Sequence, residues 1–432
     1  ERMVLVVDPR GLNAVSRVLE KYELPYAVIG EVASTGEVVV KSHGQVAARL
    51  PAKGLAKSPV IIRRARRWGP SELRDISPPL PSDLSSVALS VLSSPNVADK
   101  AWVYRQYDHE VGVRTVLKPG DSDAAVLRLL EIEGKAIAVK SDGNSRHGYL
   151  DPYNGAAGAV AEAASNVSAV GARPLAMVDE LNWGDPRKPE VFWQFKQAVR
   201  GMADMCTGLG VPCVGGKVSF YNEDEATGRS VKPSTVVVVV GLIEDLNRLV
   251  TMPFKSPGDV VIVVGRTHQE MGGSEYYHRW HGLSGGRPPV ADPDRSRGSI
   301  EAVLEAVGGG YVTAAHDCSR GGLCTALSLM SVKSGLGLRI DLGLVPQKQV
   351  RVDELLFSES YSRFVLTSDK AKSREVLKIC RKYRIPAGLV GKVADDGRFV
   401  LAGGGKPVID YPVSKMSEAW SRAIPKAMGV GS

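Results

Sequence analysis

Four loops of this chain collect glycine, acidic and small polar residues beside predicted strand or helix ends, where α/β proteins commonly bind ligands. The first is Ser141-Asp142-Gly143-Asn144-Ser145-Arg146-His147-Gly148, running into Asp151-Pro152-Tyr153-Asn154-Gly155. It leaves a strand and enters an Ala-rich helix whose bare N–H groups suit a phosphate; its acids could equally hold a metal or cap the helix. His147 could serve as a base only with a partner that the sequence does not identify. The second loop is Asn182-Trp183-Gly184-Asp185-Pro186, where Asp185 could hold a ribose hydroxyl or Mg2+, or simply cap the next helix. The third is Gly215-Gly216-Lys217-Val218-Ser219-Phe220-Tyr221-Asn222-Glu223. Gly210 and Gly215 have the spacing of a P-loop, but Gly216 stands where Lys is required and Lys217 where Ser or Thr is required, so a P-loop is excluded. Two glycines still permit close approach to an anion, or a plain turn. The fourth is His316-Asp317-Cys318-Ser319-Arg320-Gly321-Gly322-Leu323, where Asp317 could ligate Mg2+ or cap a helix. Gly272-Gly273-Ser274-Glu275 and Ser358-Glu359-Ser360-Tyr361 are further loops of the same character. None pairs a nucleophile with its base, and no ligand spacing suits zinc. The residues alone point to a phosphate- or nucleotide-binding α/β protein without a legible catalytic centre.

The elements that must position these loops follow from periodicity. Lys135–Lys140, Pro174–Val178, Val236–Val240 and Val260–Val264 read as strands. Gly155–Val170 reads as a helix whose small side chains allow close packing on a sheet. Pro189–Leu209 is amphipathic, with Val191, Phe195, Ala198, Met202 and Met205 on one face, and Gly210-Val211-Pro212 ends it. Gly321–Ser334 and Ser373–Tyr383 are further helices. The fold class is mixed α/β, with strands enough for a sheet in each of two domains.

Length allows two or three domains, and 44% hydrophobic residues suffice for globular cores. No apolar run is long enough for a membrane span, and the first residues do not resemble a signal peptide. Five scattered cysteines without a Cys-x-x-Cys pair read as reduced thiols in a cytoplasmic protein. The net charge of +8 is concentrated partly in Arg63-Arg64-Ala65-Arg66-Arg67, read as a solvated linker face. Aromatics are only 6% and do not interleave with the basic residues, which argues against a nucleic-acid groove.

A repeat organises the chain. Residues 1–36 align without gaps on 362–397, an offset of 361. Arg2 meets Arg363, Asp8 meets Asp369, Lys21-Tyr22 meets Lys382-Tyr383, Pro25 meets Pro386 and Gly30 meets Gly391. Each copy predicts strand, helix, strand: Val4–Val7, a helix through Val15, Val18, Leu19 and Tyr22, then Val28-Ile29. Residues 1–70 are expected to be the tail of one unit's C-terminal subdomain. Residues 71–96, rich in Pro and Ser, read as a linker; 97–250 form the N-terminal subdomain of a second unit and 251–432 its C-terminal subdomain. On equal unit sizes, roughly 300 residues are expected before Glu1 in the intact protein.

The ordered strings Gln106-Tyr107-Asp108-His109-Glu110-Val111-Gly112, Asp142–Arg146, Asn182–Pro186, Val218–Glu223 and Gly272–Tyr276 resemble the phosphoribosylformylglycinamidine synthase family, within the aminoimidazole ribonucleotide synthetase superfamily. The resemblance implies two tandem-duplicated units, each of two α/β subdomains, and a ligase of purine biosynthesis. That enzyme converts formylglycinamide ribonucleotide, ATP and glutamine-derived ammonia to the amidine, with Mg2+ on the phosphates. It implies ATP contacts at Asp185 and Gly216, and a substrate contact at Ser219. The family's Asn for Mg2+ falls on Lys217, whose ammonium cannot ligate a metal and is left a direct phosphate contact as its alternative. Asp151, Asn154 and Asp317 are implied in a pseudo-symmetric auxiliary nucleotide site. The catalytic histidines are expected before Glu1, so that this C-terminal portion by itself is inactive. The short form of the family implies a separate glutaminase subunit and a small accessory subunit. The competing readings are a non-catalytic, nucleotide-holding half and another ATP enzyme of the superfamily; the latter are single units, which the repeat opposes.

Overall fold

The computed structural model describes residues 2–57, 59–70 and 76–430, in two compact units that divide after Ile62. The first unit contains helix α1 (Leu12–Lys21), strands β1 (Glu37–Ser42) and β2 (Gln45–Pro51), and the short helix α2 (Ala52–Ala56).

The second unit opens with α3 (Leu84–Leu92) and α4 (Ala101–Tyr104). It continues through β3 (Thr115–Leu117), β4 (Ala125–Arg128), β5 (Ala136–Asp142), α5 (Ser145–Leu150), α6 (Pro152–Ala169) and β6 (Arg173–Asn182). Next come α7 (Pro189–Leu209), β7 (Cys213–Ser219) and β8 (Ser234–Ile243), closing the first subdomain. The second subdomain runs β9 (Val260–Val264), α8 (Glu275–His281), α9 (Pro293–Gly308), β10 (Ala314–Asp317), α10 (Gly322–Ser334), β11 (Gly337–Asp341) and α11 (Val352–Phe357). It ends with β12 (Phe364–Ser368), α12 (Ser373–Lys382), β13 (Ala387–Ala394), β14 (Arg398–Gly403), β15 (Lys406–Pro412) and α13 (Val413–Ala427).

Two mixed sheets result. The six-stranded sheet has the order β3-β4-β5-β8-β6-β7, and the seven-stranded sheet the order β10-β12-β9-β13-β11-β14-β15. Helix α6 links them. Asp151 caps it, Pro152 starts it at a position where a missing N–H costs nothing, and its small residues let it lie on β5 and β8 while touching α7, α9 and β10. Gly201 of α7 meets the Tyr153 carbonyl so closely that a Cβ there would collide with backbone. Val160, Ala163 and Val167 of α6 are fully buried. No helix among the described residues is long and apolar enough to cross a membrane.

The repeat continues beyond its sequence signal. Helix α1 falls on α12 residue for residue at the offset of 361, β1 falls on β14, and β2 on β15. The hairpin registers agree as well: Glu37 pairs Pro51 as Arg398 pairs Pro412, and both ladders slip at the same place, Val40/Lys41 and Leu401/Ala402. Two expected strands are absent, however: neither Val4–Val7 nor Val28-Ile29 is extended in a ladder. Their counterparts β12 and β13 are held by β10, β9 and β11. No such neighbour exists among the described residues of the first unit, and a lone strand leaves its backbone donors and acceptors unpaired. Met3 is accordingly 85% exposed and Val6 82%.

The segment 71–96 is not linker throughout. Residues 71–75 lie outside those described, but Asp83 caps α3, and Leu84, Val87, Ala88 and Val91 are buried at helical spacing. Serines at positions 85, 86 and 90 masked that pattern in the composition.

Candidate functional site

Parallel strands β6 and β7 end side by side, with Asn182 opposite Ser219, and the loops that leave them carry the predicted nucleotide contacts. Asp185 follows β6. Its carboxylate accepts from the Arg187 amide (2.8 Å) and from the guanidinium of the same residue (Nη2–Oδ2 2.6 Å). The Arg187 guanidinium holds that carboxyl below its usual range. Glu223 braces the same turn, accepting from the Asp185 amide (2.9 Å), Ser230 (2.7 Å) and Lys188 (2.8 Å), and its pKa is pushed down to about 2, chiefly by Lys188. The turn is built partly from Tyr221 in the left-handed region, φ 64°, with Arg187 over its ring. Gly216 and Lys217 lie on the outer strand β7, opposite Asp179 and Glu180. A side chain at 216 would press on the Asp179 carboxylate. Asp185 and Ser219 thus share one end of the sheet, while Gly216 lies at the middle of β7 and the exposed Lys217 beside it has no lone pair to offer a metal.

The auxiliary positions are not brought together. Asp151 caps α6, accepting from the Asn154 backbone amide (3.0 Å) and side-chain Nδ2 (2.7 Å), and the Asn154 side-chain Oδ1 accepts from the Ala291 amide (3.0 Å). Asp317 instead meets Asn166 (3.3 Å), twelve residues further along the same helix, roughly 18 Å by helical rise.

Around Asp317 a buried cluster forms that the loops alone did not reveal. His316 Nδ1 lies 2.7 Å from Asp123 Oδ1, which also accepts from the Asp317 amide (3.1 Å). Asp123, His316 and Asp317 offer ligand atoms within 4.8 Å of one another, and Asp123 Oδ2 and Asp317 Oδ1 have no hydrogen-bond partner. These carboxylate oxygens fit a hard divalent cation. His316 fits it less well: burial opposes its charge, but Asp123 and Asp317 together raise its pKa, which favours the protonated ring. Glu162, one turn before Asn166 on α6, is also buried, and burial followed by Asp142 and Asp317 raises its pKa well above the usual carboxylate range. The readable signal was Glu162 and Asn166 at i,i+4 on an otherwise small and apolar helix.

The remaining loops converge beside this cluster. Arg146 donates to the Gly273 carbonyl (2.9 Å) and pairs with Glu275. Glu359 accepts from the amides of Glu275 and Gly321, both at 2.8 Å. His147 gains the partners its sequence context did not show: Tyr361 Oη at 2.8 Å from Nδ1 and Glu359 Oε2 at 3.4 Å from Nε2. All three are buried, which makes this triad a brace between loops. A cavity of about 250 Å³ opens beside it, lined by Asn96, Gly143, Asn144, Arg146, Ser234 and Arg320.

Burial, then Asp123, pushes the Asp317 pKa up to about 8. An unfolded Asp ionises near pH 4, so between about pH 4 and 8 the native state holds a proton that the unfolded chain has lost. Stability therefore falls as pH rises through that window, and Asp317→Asn, which cannot ionise, is expected to flatten the fall. The variant's gain over the parent at pH 8 relative to pH 5 should be on the order of a few kcal/mol. Parallel melting profiles for the two proteins would show that Asp317 is ionised in the native state.

Residues 121–243 match the AIR synthase related protein, N-terminal domain, and residues 256–404 the AIR synthase related protein, C-terminal domain. The phosphoribosylformylglycinamidine synthase subunit PurL of Methanothermobacter marburgensis is 47% identical over 395 residues, 90% of this chain and 53% of that protein. The chain thus spans about half the length of the curated relatives it matches. Among solved structures, T. maritima PurL complexed with FGAR superposes with a TM-score of 0.67 at 25% identity, over 78% of this chain and 54% of that one. The same protein complexed with ATP gives a TM-score of 0.61 at 25% identity, over 77% of this chain and 52% of that one. A structure of PurLQS from Thermotoga maritima gives 0.63 at 25% identity, over 79% and 53%. The chain thus matches, in order, the N-terminal and C-terminal domains of AIR synthase related proteins, the two together over more than half its length.

Proposed function

We propose that this chain is the C-terminal portion of a short-form phosphoribosylformylglycinamidine synthase large subunit. The intact protein would be an ATP-dependent ligase that forms formylglycinamidine ribonucleotide from formylglycinamide ribonucleotide and glutamine-derived ammonia. The carrying observation is the 361-residue duplication, repeated down to the register and slip of the β1–β2 and β14–β15 hairpins. The relatives named above support the same reading, as do structures of a similar protein with FGAR and with ATP.

In this reading Asp185 and Gly216 contact ATP and Ser219 contacts the substrate; Asp185 and Ser219 lie at the shared end of β6 and β7, and Gly216 lies further back along β7. ATP, accompanied by Mg2+, activates the amide oxygen for attack by ammonia. What these residues do is orient: Arg187 and Glu223 fix the Asp185 turn, and the missing side chain at Gly216 leaves room for the Asp179 carboxylate beside it. Lys217 is assigned a phosphate contact in place of the family's metal contact. The partners are the preceding half of the protein, a separate glutaminase subunit and a small accessory subunit, in the cytoplasm; the PurLQS structure supports the glutaminase partner.

The test uses the intact protein, assayed for ADP release dependent on formylglycinamide ribonucleotide and ammonium. Asp185→Asn is expected to raise KM for ATP by about tenfold with kcat much less affected. An unchanged KM would make Asp185 a turn-forming residue only. A second reading, a nucleotide-holding half without turnover, is favoured by the cavity beside Arg146 and Arg320; nucleotide retained by the chain through gel filtration would support it.

A further inference from the structure

The basic string Arg63-Arg64-Ala65-Arg66-Arg67 reads in the sequence as a solvated linker face, and Arg64, Arg66 and Arg67 are exposed. The backbone that carries them is nevertheless fastened to the second unit. The Arg66 amide donates to the Pro189 carbonyl (3.0 Å) at the start of α7, and its guanidinium pairs with Glu190. Two residues on, Trp68 is half-buried, its ring edge-on to Tyr149 of α5 with centroids 5.2 Å apart, and Pro70 is buried. A solvated linker would leave that indole in water. Lys232 lies over the same Tyr149 ring, 5.7 Å from its centroid. Backbone packing ties α5 to this loop as well, since a side chain at Gly148 would collide with the Pro233 carbonyl. From Lys232 the chain leads back to Ser230, which donates to Glu223 (2.7 Å), and Glu223 accepts from Lys188 (2.8 Å), the residue before Pro189. The contacts close a ring through Arg66, Trp68, Tyr149, Lys232, Glu223 and Lys188. The same Glu223 accepts from the Asp185 amide (2.9 Å), so the ring encloses the brace of the Asp185 turn.

We propose that Arg66 and Trp68 are positioning residues, and that the strap of residues 63–70 holds the loop 222–232 against the Asp185 turn at the end of β6 and β7. Arg66 acts through the first turn of α7, and Trp68 through Tyr149 and Lys232. That the strap sets nucleotide affinity rests on the ATP reading of Asp185; that it holds the two loops does not.

Hydrogen exchange of the 432-residue chain, followed by mass spectrometry, tests the holding. In Trp68→Ala, the amides of 183–190 and 222–232 are expected to exchange roughly tenfold faster, while β9 and α13 keep the parent's rates. Trp68→Phe, which retains an aromatic ring, should keep the parent's protection. Arg66→Ala should loosen 183–190 chiefly, which also covers the case in which Trp68→Ala does not fold. The proposal is overturned if these variants speed exchange only within 63–70, or in every element alike. In the intact protein, Trp68→Ala is expected to raise KM for ATP about fivefold with kcat within about twofold of the parent, and Trp68→Phe to restore it. An unchanged KM beside loosened loops overturns the positioning role. Asp185→Asn then shows which idea failed: a raised KM in that variant leaves the reading of the site standing, whereas an unchanged KM there removes it too.

Discussion

Purified alone, the 432-residue chain is expected to form no amidine from formylglycinamide ribonucleotide, ATP and ammonium, with turnover at least roughly a thousand-fold below that of the intact protein. The reason is structural as well as chemical. The only buried histidines of the second unit among the described residues are His147 and His316, and both are engaged, one by Tyr361 and the other by Asp123. Neither is free to take a proton from an attacking ammonia. In the first unit, the counterparts of β12 and β13 have no strand to pair with, and Met3, Val4 and Val6 are exposed where Phe364, Val365 and Thr367 are fully buried. By the logic of the repeat, Met3–Val7 needs an antiparallel neighbour equivalent to Val260–Val264, which pairs with β12 in the second unit. Activity should appear when a separately produced polypeptide carrying the preceding half is added, and should saturate with it. Robust ammonia-dependent turnover by the chain alone would sink the assignment of the catalytic half to the preceding residues.

What could be read in the sequence was what local rules determine. Pro189–Leu209 and Val260–Val264 appear at the predicted residues because a proline start, an apolar face and a glycine stop, or a β-branched run, are properties of neighbours in the chain. Val4–Val7 has an equally good β-branched run and is no strand, since a strand is a property of a pair. Helix α3 was hidden for a different reason: its serines lower apparent hydrophobicity while Val87 and Val91 still reach the core. At the site, the resemblance alone names Asp185 and Ser219 together, because the pairing of β6 with β7 that sets their loops side by side joins strands separated by the whole of α7. The cluster could not be read either, because its contacts join positions far apart: Asn166 to Asp317 spans 151 residues and Asp123 to His316 spans 193. The spacing of the auxiliary trio was hidden on the same ground, since Asp151 and Asp317 meet different ends of one long helix.

Arg363 carries the second large effect. It is 1% exposed, yet fully engaged: Nε donates to the Ser360 carbonyl (2.9 Å), Nη1 to Thr267 Oγ1 (2.9 Å) and Nη2 to the Ser358 carbonyl (2.6 Å). It therefore clamps the loop that presents Glu359 to Gly321 and Tyr361 to His147. Burial lowers its pKa, so the charge is tolerated only because those acceptors surround it. Arg363→Met keeps much of the volume but strands two buried carbonyls and a hydroxyl, and should cost about 3–5 kcal/mol in urea unfolding. Arg363→Lys, with one donor cluster and no fork, should fall between. A loss below about 1 kcal/mol for the Met variant would mean that Glu359 holds the loop unaided. The repeat extends the consequence to the first unit, where Arg2 occupies the matching position and is exposed. If Arg363 is a clamp, Arg2 should become buried and protected when the preceding half is supplied, and Arg2→Met should weaken that association while leaving the melting of the second unit unchanged.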